Sequence, residues 1–97
     1  MNAVVLEIPY EGDHCAPCVY MLETAEEAAA GLGDGVKVEI LYLRQTDAAL
    51  RYKILSYELG RPAPIPSIFI NGKLCFDAIP PVEDLREAVT QILGPGG

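Results

Sequence analysis

The sequence predicts an α/β domain: a four-stranded mixed sheet with helices on both faces. Three observations lead there. Short apolar, β-branched runs alternate with segments of helical period, in the order β-α-β-α-β-β-α, which calls for parallel strands joined by helices. One Asn-Gly pair between two short strands adds an antiparallel hairpin at the edge, so the sheet is mixed. The strands are apolar, as strands covered from both sides are.

Each element has its own signal. "AVVLEI" (3–8) is short and β-branched and reads as a strand, ended by Pro9. From Cys18 an apolar stripe runs through Leu22, Ala25, Ala29 and Leu32, with Glu23, Glu26 and Glu27 outside it. "GLGDG" (31–35) closes that helix. "VKVEILYL" (36–43) alternates and reads as the second strand. Thr46 or Asp47 is the expected cap of a second helix, with Leu50, Ile54, Leu55, Tyr57 and Leu59 inward and Gly60 as its stop. "RPAPIP" (61–66) is a stiff loop. "SIFI" (67–70), Asn71-Gly72 and "KLCF" (73–76) make the hairpin. Pro80-Pro81 opens a third helix with Glu83 and Asp84 in its first turn. Its expected buried stripe is Val82, Leu85, Val89, Ile92 and Leu93, and Gly94-Pro95 ends it ahead of a frayed "GPGG" tail.

Composition narrows the function. The 97 residues make one domain, 1–97, and 51 % are hydrophobic, which argues against disorder. No stretch reaches the ~20 apolar residues of a membrane span, and the N-terminus lacks the basic start and apolar run of a secretory signal. Net charge is −7, which speaks against a nucleic-acid surface. Residues 1–36 carry seven acids and no Lys or Arg, while residues 37–97 carry seven of each sign. The acidic segment is either a solvated face or a surface for a basic partner. Three cysteines and no signal point to the reducing cytosol, where a close pair is more often catalytic or metal-binding than structural.

That pair lies in "EGDHCAPCVY", where the first strand turns into the first helix. Only the thiolate attacks a disulfide, and an ordinary thiol is a few per cent ionised at pH 7. A helix N-terminus presents unpaired N–H groups and positive partial charge, both of which favour the anion. Lowering the pKa by about 1.5 units, some 2 kcal/mol, makes about half of a thiol ionised. Cys15, at the first turn, is therefore the expected nucleophile. Cys18, one turn on and toward the core, is the expected resolving cysteine. Pro17 falls in the first turn, where its missing N–H costs little.

Strand, "CAPC", helix, then "IPSIFINGK" and a capped last helix resemble a thioredoxin-fold protein over about residues 4–93, close in size to the short glutaredoxin-like members. The resemblance implies a thioredoxin-like fold and a dithiol–disulfide oxidoreductase with Cys15 and Cys18 as the redox pair. It implies that Pro66 is a cis-proline facing them, and that the Ile65 backbone receives an extended substrate strand. No cofactor beyond the redox disulfide and no metal are expected. The partners are protein disulfides and a thioredoxin-reductase-type enzyme, in a cytoplasmic monomer without membrane or nucleic-acid contacts.

The departures are specific. The usual thioredoxin site has Trp-Cys-Gly-Pro-Cys; here it is "HCAPC". The buried aspartate those proteins carry six residues before the first cysteine is replaced by Pro9. Glu11 and Asp13 stand where glutaredoxins carry a basic residue, and "CFDAIPP" lacks a glutathione-binding glycine pair. Glutathione is anionic, so this rim makes it the weaker candidate, with Arg61 a partial compensation. His14 either is a solvated loop residue or tunes the Cys15 thiolate. Cys75, expected opposite Ile68, reads better as a small packed side chain than as a third ligand. Arg51 and Lys53 read as decoration of the second helix.

Two other classes stay open. His14, Cys15, Cys18 and Cys75 are soft ligands suited to Zn or Cu(I). A copper-chaperone-like fold has the order β-α-β-β-α-β, which the helix expected at 46–59 opposes. Three cysteines exclude a four-thiolate cluster within one chain, though not one shared between two chains. The other class is a redox-inactive adaptor.

Overall fold

Residues Val4–Tyr10 form β1, the strand from which the rest is placed. The computed structural model describes residues 4–93; Ala3 and the Gly94-Pro95 stop with its tail lie outside the described residues. The elements that follow are α1 (Ala16–Ala30), β2 (Val36–Tyr42), α2 (Thr46–Leu59), β3 (Ile68–Ile70), β4 (Lys73–Phe76) and α3 (Val82–Leu93). The chain is a mixed α/β protein with three helices and one four-stranded sheet, ordered β2-β1-β3-β4. β1 runs parallel to β2 from Val4↔Val36 to Tyr10↔Tyr42 and antiparallel to β3, and β3 runs antiparallel to β4.

Backbone polarity explains why Pro9 does not end β1 as expected. The Val4 N–H donates to the Gly35 carbonyl, and the Leu43 N–H to the Tyr10 carbonyl, so even residues of β1 face β2. The Val5 N–H donates to Asn71 Oδ1 and the Asn71 N–H to the Val5 carbonyl, so odd residues face β3. Pro9 is odd, and pairing with β3 stops at Glu7↔Phe69. Its missing N–H therefore removes no ladder bond.

Side chains alternate in the same way. Val4, Leu6 and Ile8 join Ile68 and Ile70 against Met21, Ala25 and Ala28 of α1 and Leu85 and Val89 of α3, all buried. Phe69 points the other way, into a smaller cluster with Leu41, Ala48, Leu55 and Ala63. α1 and α3 thus cover one face and α2 the other.

Several element-level expectations shift. On α1 the fully buried positions are Cys18, Met21, Ala25 and Ala28, with Leu22 and Ala29 at the flank, so the stripe is centred one residue earlier than expected. Gln45, not Thr46 or Asp47, precedes the first turn of α2 and makes no side-chain cap. Gly60 ends α2 in the left-handed conformation at φ 83°, where a side chain would be strained. Of the five α2 residues expected inward, Leu55 is buried and Leu59 half-buried; Leu50, Ile54 and Tyr57 are exposed. The rotation of the helix is set by Arg51, which reaches under it to Glu7, and by Tyr52, whose hydroxyl donates to the Ala63 carbonyl. On α3, Leu85 and Val89 are buried and Val82 and Leu93 half-buried, but Ile92 is exposed. The turn at Asn71-Gly72 has φ 51° and 85°, as a type I′ turn requires.

Candidate functional site

The turn from β1 into α1 is short and held by its own backbone. The Cys15 N–H donates to the Gly12 carbonyl at 3.0 Å. Gly12 sits at φ 150°, and a Cβ there would come within 2.9 Å of the His14 ring, so this turn requires glycine. The result places Cys15 at the N-cap of α1 in extended conformation, with Pro17 in the first turn. Cys15 Sγ accepts from the Cys18 N–H at 3.2 Å. That N–H is one of the donors a helix start leaves unpaired. On a thiolate the same contact becomes charge-assisted, which favours the anion.

The two cysteines form a disulfide, with Cα atoms 5.2 Å apart. Their surroundings differ. Cys15 is half-buried, whereas Cys18 has no exposed surface. An incoming partner therefore reaches Cys15 first.

Glu11, upstream of the turn, is brought beside the pair. A carboxylate oxygen of Glu11 and the two sulfurs all lie within 4.8 Å of one another, and among the described residues neither His14 nor Cys75 joins this group. Sequence reasoning placed Glu11 on the acidic rim and missed this approach. The signal for it is the shortness of the turn, with three residues between Glu11 and Cys15. Asp13 is also engaged. The Tyr10 hydroxyl donates to it at 2.7 Å, and the Tyr10 and Tyr42 rings meet edge to face at 5.5 Å. The hydrogen bond to Asp13, together with burial, pushes the Tyr10 phenol up to about 12.

The other expected residues fall in two places. His14 is exposed and lines a cavity of about 410 Å³ with Tyr10, Glu11, Tyr42 and Arg44. Arg44 brings a cation to this side of the acidic turn, which the charge count along the chain did not anticipate. Ile65 and Pro66 are half-buried just before β3, and the bond between them is cis. The next residue, Ser67, is buried, and its hydroxyl has no hydrogen-bond partner among the described residues.

Cys75 corrects an expectation. It is exposed, and it does not pair with Ile68. The register passes from Phe69↔Leu74 to Ile68↔Phe76, so Cys75 is the extra residue of a bulge on an edge strand. No protein-family model matches the chain, and no curated protein matches it.

Proposed function

We propose that the chain is a dithiol–disulfide oxidoreductase of thioredoxin-like fold, acting on protein disulfides in the cytosol. The asymmetry of the pair carries this reading: a half-buried Cys15 at a helix N-cap, its sulfur facing the Cys18 N–H, over a fully buried Cys18. The sheet order and the antiparallel hairpin support the fold resemblance. No described helix is long and apolar enough to cross a membrane.

In the reducing direction the Cys15 thiolate attacks one sulfur of a substrate disulfide. The substrate S–S bond breaks, a Cys15–substrate disulfide forms, and one substrate thiolate leaves. Cys18 then gives up its proton and attacks Cys15 Sγ. The mixed disulfide breaks, the second substrate thiolate leaves, and the Cys15–Cys18 disulfide remains. Two electrons have passed to the substrate, which takes up two protons. The backbone at Ile65 and Pro66 is the proposed rest for the substrate strand, with His14 a modulator at the rim. A thioredoxin-reductase-type enzyme returns the electrons. Glutathione is the weaker reductant because Glu11 and Asp13 repel it, although Arg44 narrows the margin.

Three variants test the assignment in an insulin-reduction assay with chemical reductant. Cys15→Ser falls to background. Cys18→Ser accumulates mixed disulfides with substrate that resolve slowly. Cys75→Ser turns over like the parent. Retained activity in Cys15→Ser, or loss in Cys75→Ser, overturns the proposal.

A further inference from the structure

The disulfide accounts for Cys15 and Cys18 but leaves Glu11 without a role. Its carboxylate reaches within 4.8 Å of both sulfurs from an exposed position. We infer that the reduced pair and Glu11 form a binding site for one zinc ion, which the disulfide form cannot hold. The gating part of this inference rests on the proposed redox cycling of the pair.

The geometry is close to what zinc needs. A tetrahedral ion takes thiolate sulfur at ~2.3 Å and carboxylate oxygen at ~2.0 Å, which sets its ligands roughly 3.5–3.8 Å apart. Glu11 must close at most roughly 1.3 Å, a rotamer adjustment for an exposed side chain. The sulfurs must part from bonding distance, and Cα atoms 5.2 Å apart leave room for that by side-chain rotation alone. Neither His14 nor Cys75 converges on the group among the described residues, so the site supplies three ligands and leaves the fourth position to water.

The charges fit a divalent ion. Two thiolates and a carboxylate crowd three negative charges together, and Zn²⁺ reduces the sum to −1. The helix N-terminus opposes the cation but favours the thiolates that bind it. Glu11 also selects the metal. Cu(I) is satisfied by soft thiolates, whereas zinc also accepts a carboxylate.

The balance is simple. Binding replaces two thiol protons by Zn²⁺, and Glu11 joins already ionised. Release needs an oxidant, for which a small-molecule disulfide serves. The two bound thiolates give it two electrons and form the Cys15–Cys18 bond. The oxidant takes two protons to become two thiols, and zinc leaves. While zinc is bound, the Cys15 thiolate is tied up as a ligand, so its attack on a protein disulfide slows, and oxidation by the small-molecule disulfide frees the ion.

The test uses the full chain reduced by a phosphine under anaerobic conditions. Zinc is titrated in competition with a chromophoric chelator, and cobalt gives a thiolate charge-transfer band. We expect one zinc per reduced chain, no binding by the disulfide form, and stoichiometric release on adding the small-molecule disulfide. Glu11→Gln weakens zinc roughly tenfold or more but leaves Cu(I) binding unchanged, and Glu11→Ala behaves alike. His14→Ala and Cys75→Ser bind like the parent. Zinc affinity equal in the parent and Glu11→Gln overturns the inference, as does a parent no tighter than the Cys15→Ser/Cys18→Ser double variant. Zinc binding without disulfide exchange leaves the site standing and removes the oxidoreductase; exchange without zinc binding does the reverse.

Discussion

The two faces of β1 are built on different terms. Toward α1 and α3 the strand presents Val4, Leu6 and Ile8, all without exposed surface and packed among aliphatic and small residues. Toward α2 it presents Glu7, 7 % exposed, whose carboxylate takes two hydrogen bonds from Arg51 at 2.7 and 2.8 Å. Two helices cover the first face and one covers the second. The helix that carries the cysteines belongs to the apolar face, where Cys18, Met21, Ala25 and Ala28 seat it in close packing. On the proposed reading, a redox pair needs the backbone that carries its two sulfurs held in place through many cycles, and a dry, interdigitated contact supplies that. The other face is held by a directional ion pair over a thin core.

The largest effect that can test this contrast is a deletion of core volume. Leu6→Ala leaves a cavity with aliphatic neighbours on every side and is expected to cost about 4 kcal/mol; Leu55→Ala, in the smaller cluster, is expected to cost about 3 kcal/mol. Urea unfolding of each variant measures the losses. A smaller loss at Leu6 than at Leu55 would mean the thicker face is not the one that holds the sheet together.

A smaller loss is expected at the ion pair. Arg51→Met strands the Glu7 carboxylate in a buried position, a change worth about 3 kcal/mol for a fully buried pair. The Arg51 side chain is 38 % exposed, which lets water reach the site and brings the expected loss nearer 2 kcal/mol. Replacing both partners, Glu7→Leu with Arg51→Met, is expected to recover most of it, since no charge is then left unpaired. If the single variant unfolds with the parent midpoint, the pair is only a surface contact and the contrast between the faces is one of thickness alone.

The same contrast explains what was legible. On the apolar face, hydrophobic period and structure agree more closely: Leu85 and Val89 were expected inward and are buried, the α1 stripe is off by a single position, and Ile92 alone of the α3 stripe is exposed. On the α2 face the period misled. Leu50, Ile54 and Tyr57 follow helical spacing, yet they are exposed because Arg51, read as decoration, is the residue that turns toward the sheet. A part-buried charge pair of long sequence separation has no local signature. The site divides the same way. The cysteine pair at the start of α1 and Pro17 in its first turn follow from the sequence because spacing along a helix start is local. The approach of Glu11 to the sulfurs, the Tyr10–Asp13 bond and the presence of Arg44 depend on how a glycine-bearing turn folds back, which composition does not reveal. Cys75 was misplaced for a related reason: a one-residue bulge on β4 shifts its register.

The smallest effect lies where the apolar face ends beside the cysteine turn. Tyr10 closes that face with its hydroxyl on Asp13, and the hydrogen bond, burial and the Asp13 charge all favour the protonated phenol, which is pushed up to about 12. In the unfolded chain the phenol titrates near 10. The folded value is the higher one, so the contribution to stability is complete below pH 10 and is lost as pH rises through about 12. Asp13→Asn removes the charge that keeps the proton in place. Its Tyr10 is expected to ionise at lower pH, so that the stability difference between parent and variant closes across that window. Tyrosinate absorbance, taken as the difference between each protein and its Tyr10→Phe counterpart, isolates this residue from the other four tyrosines. A parent difference curve with its midpoint at 10 would mean that Tyr10 and Asp13 are not joined in solution, and that the turn carrying Glu11 to the sulfurs lacks the tie that anchors it to β1.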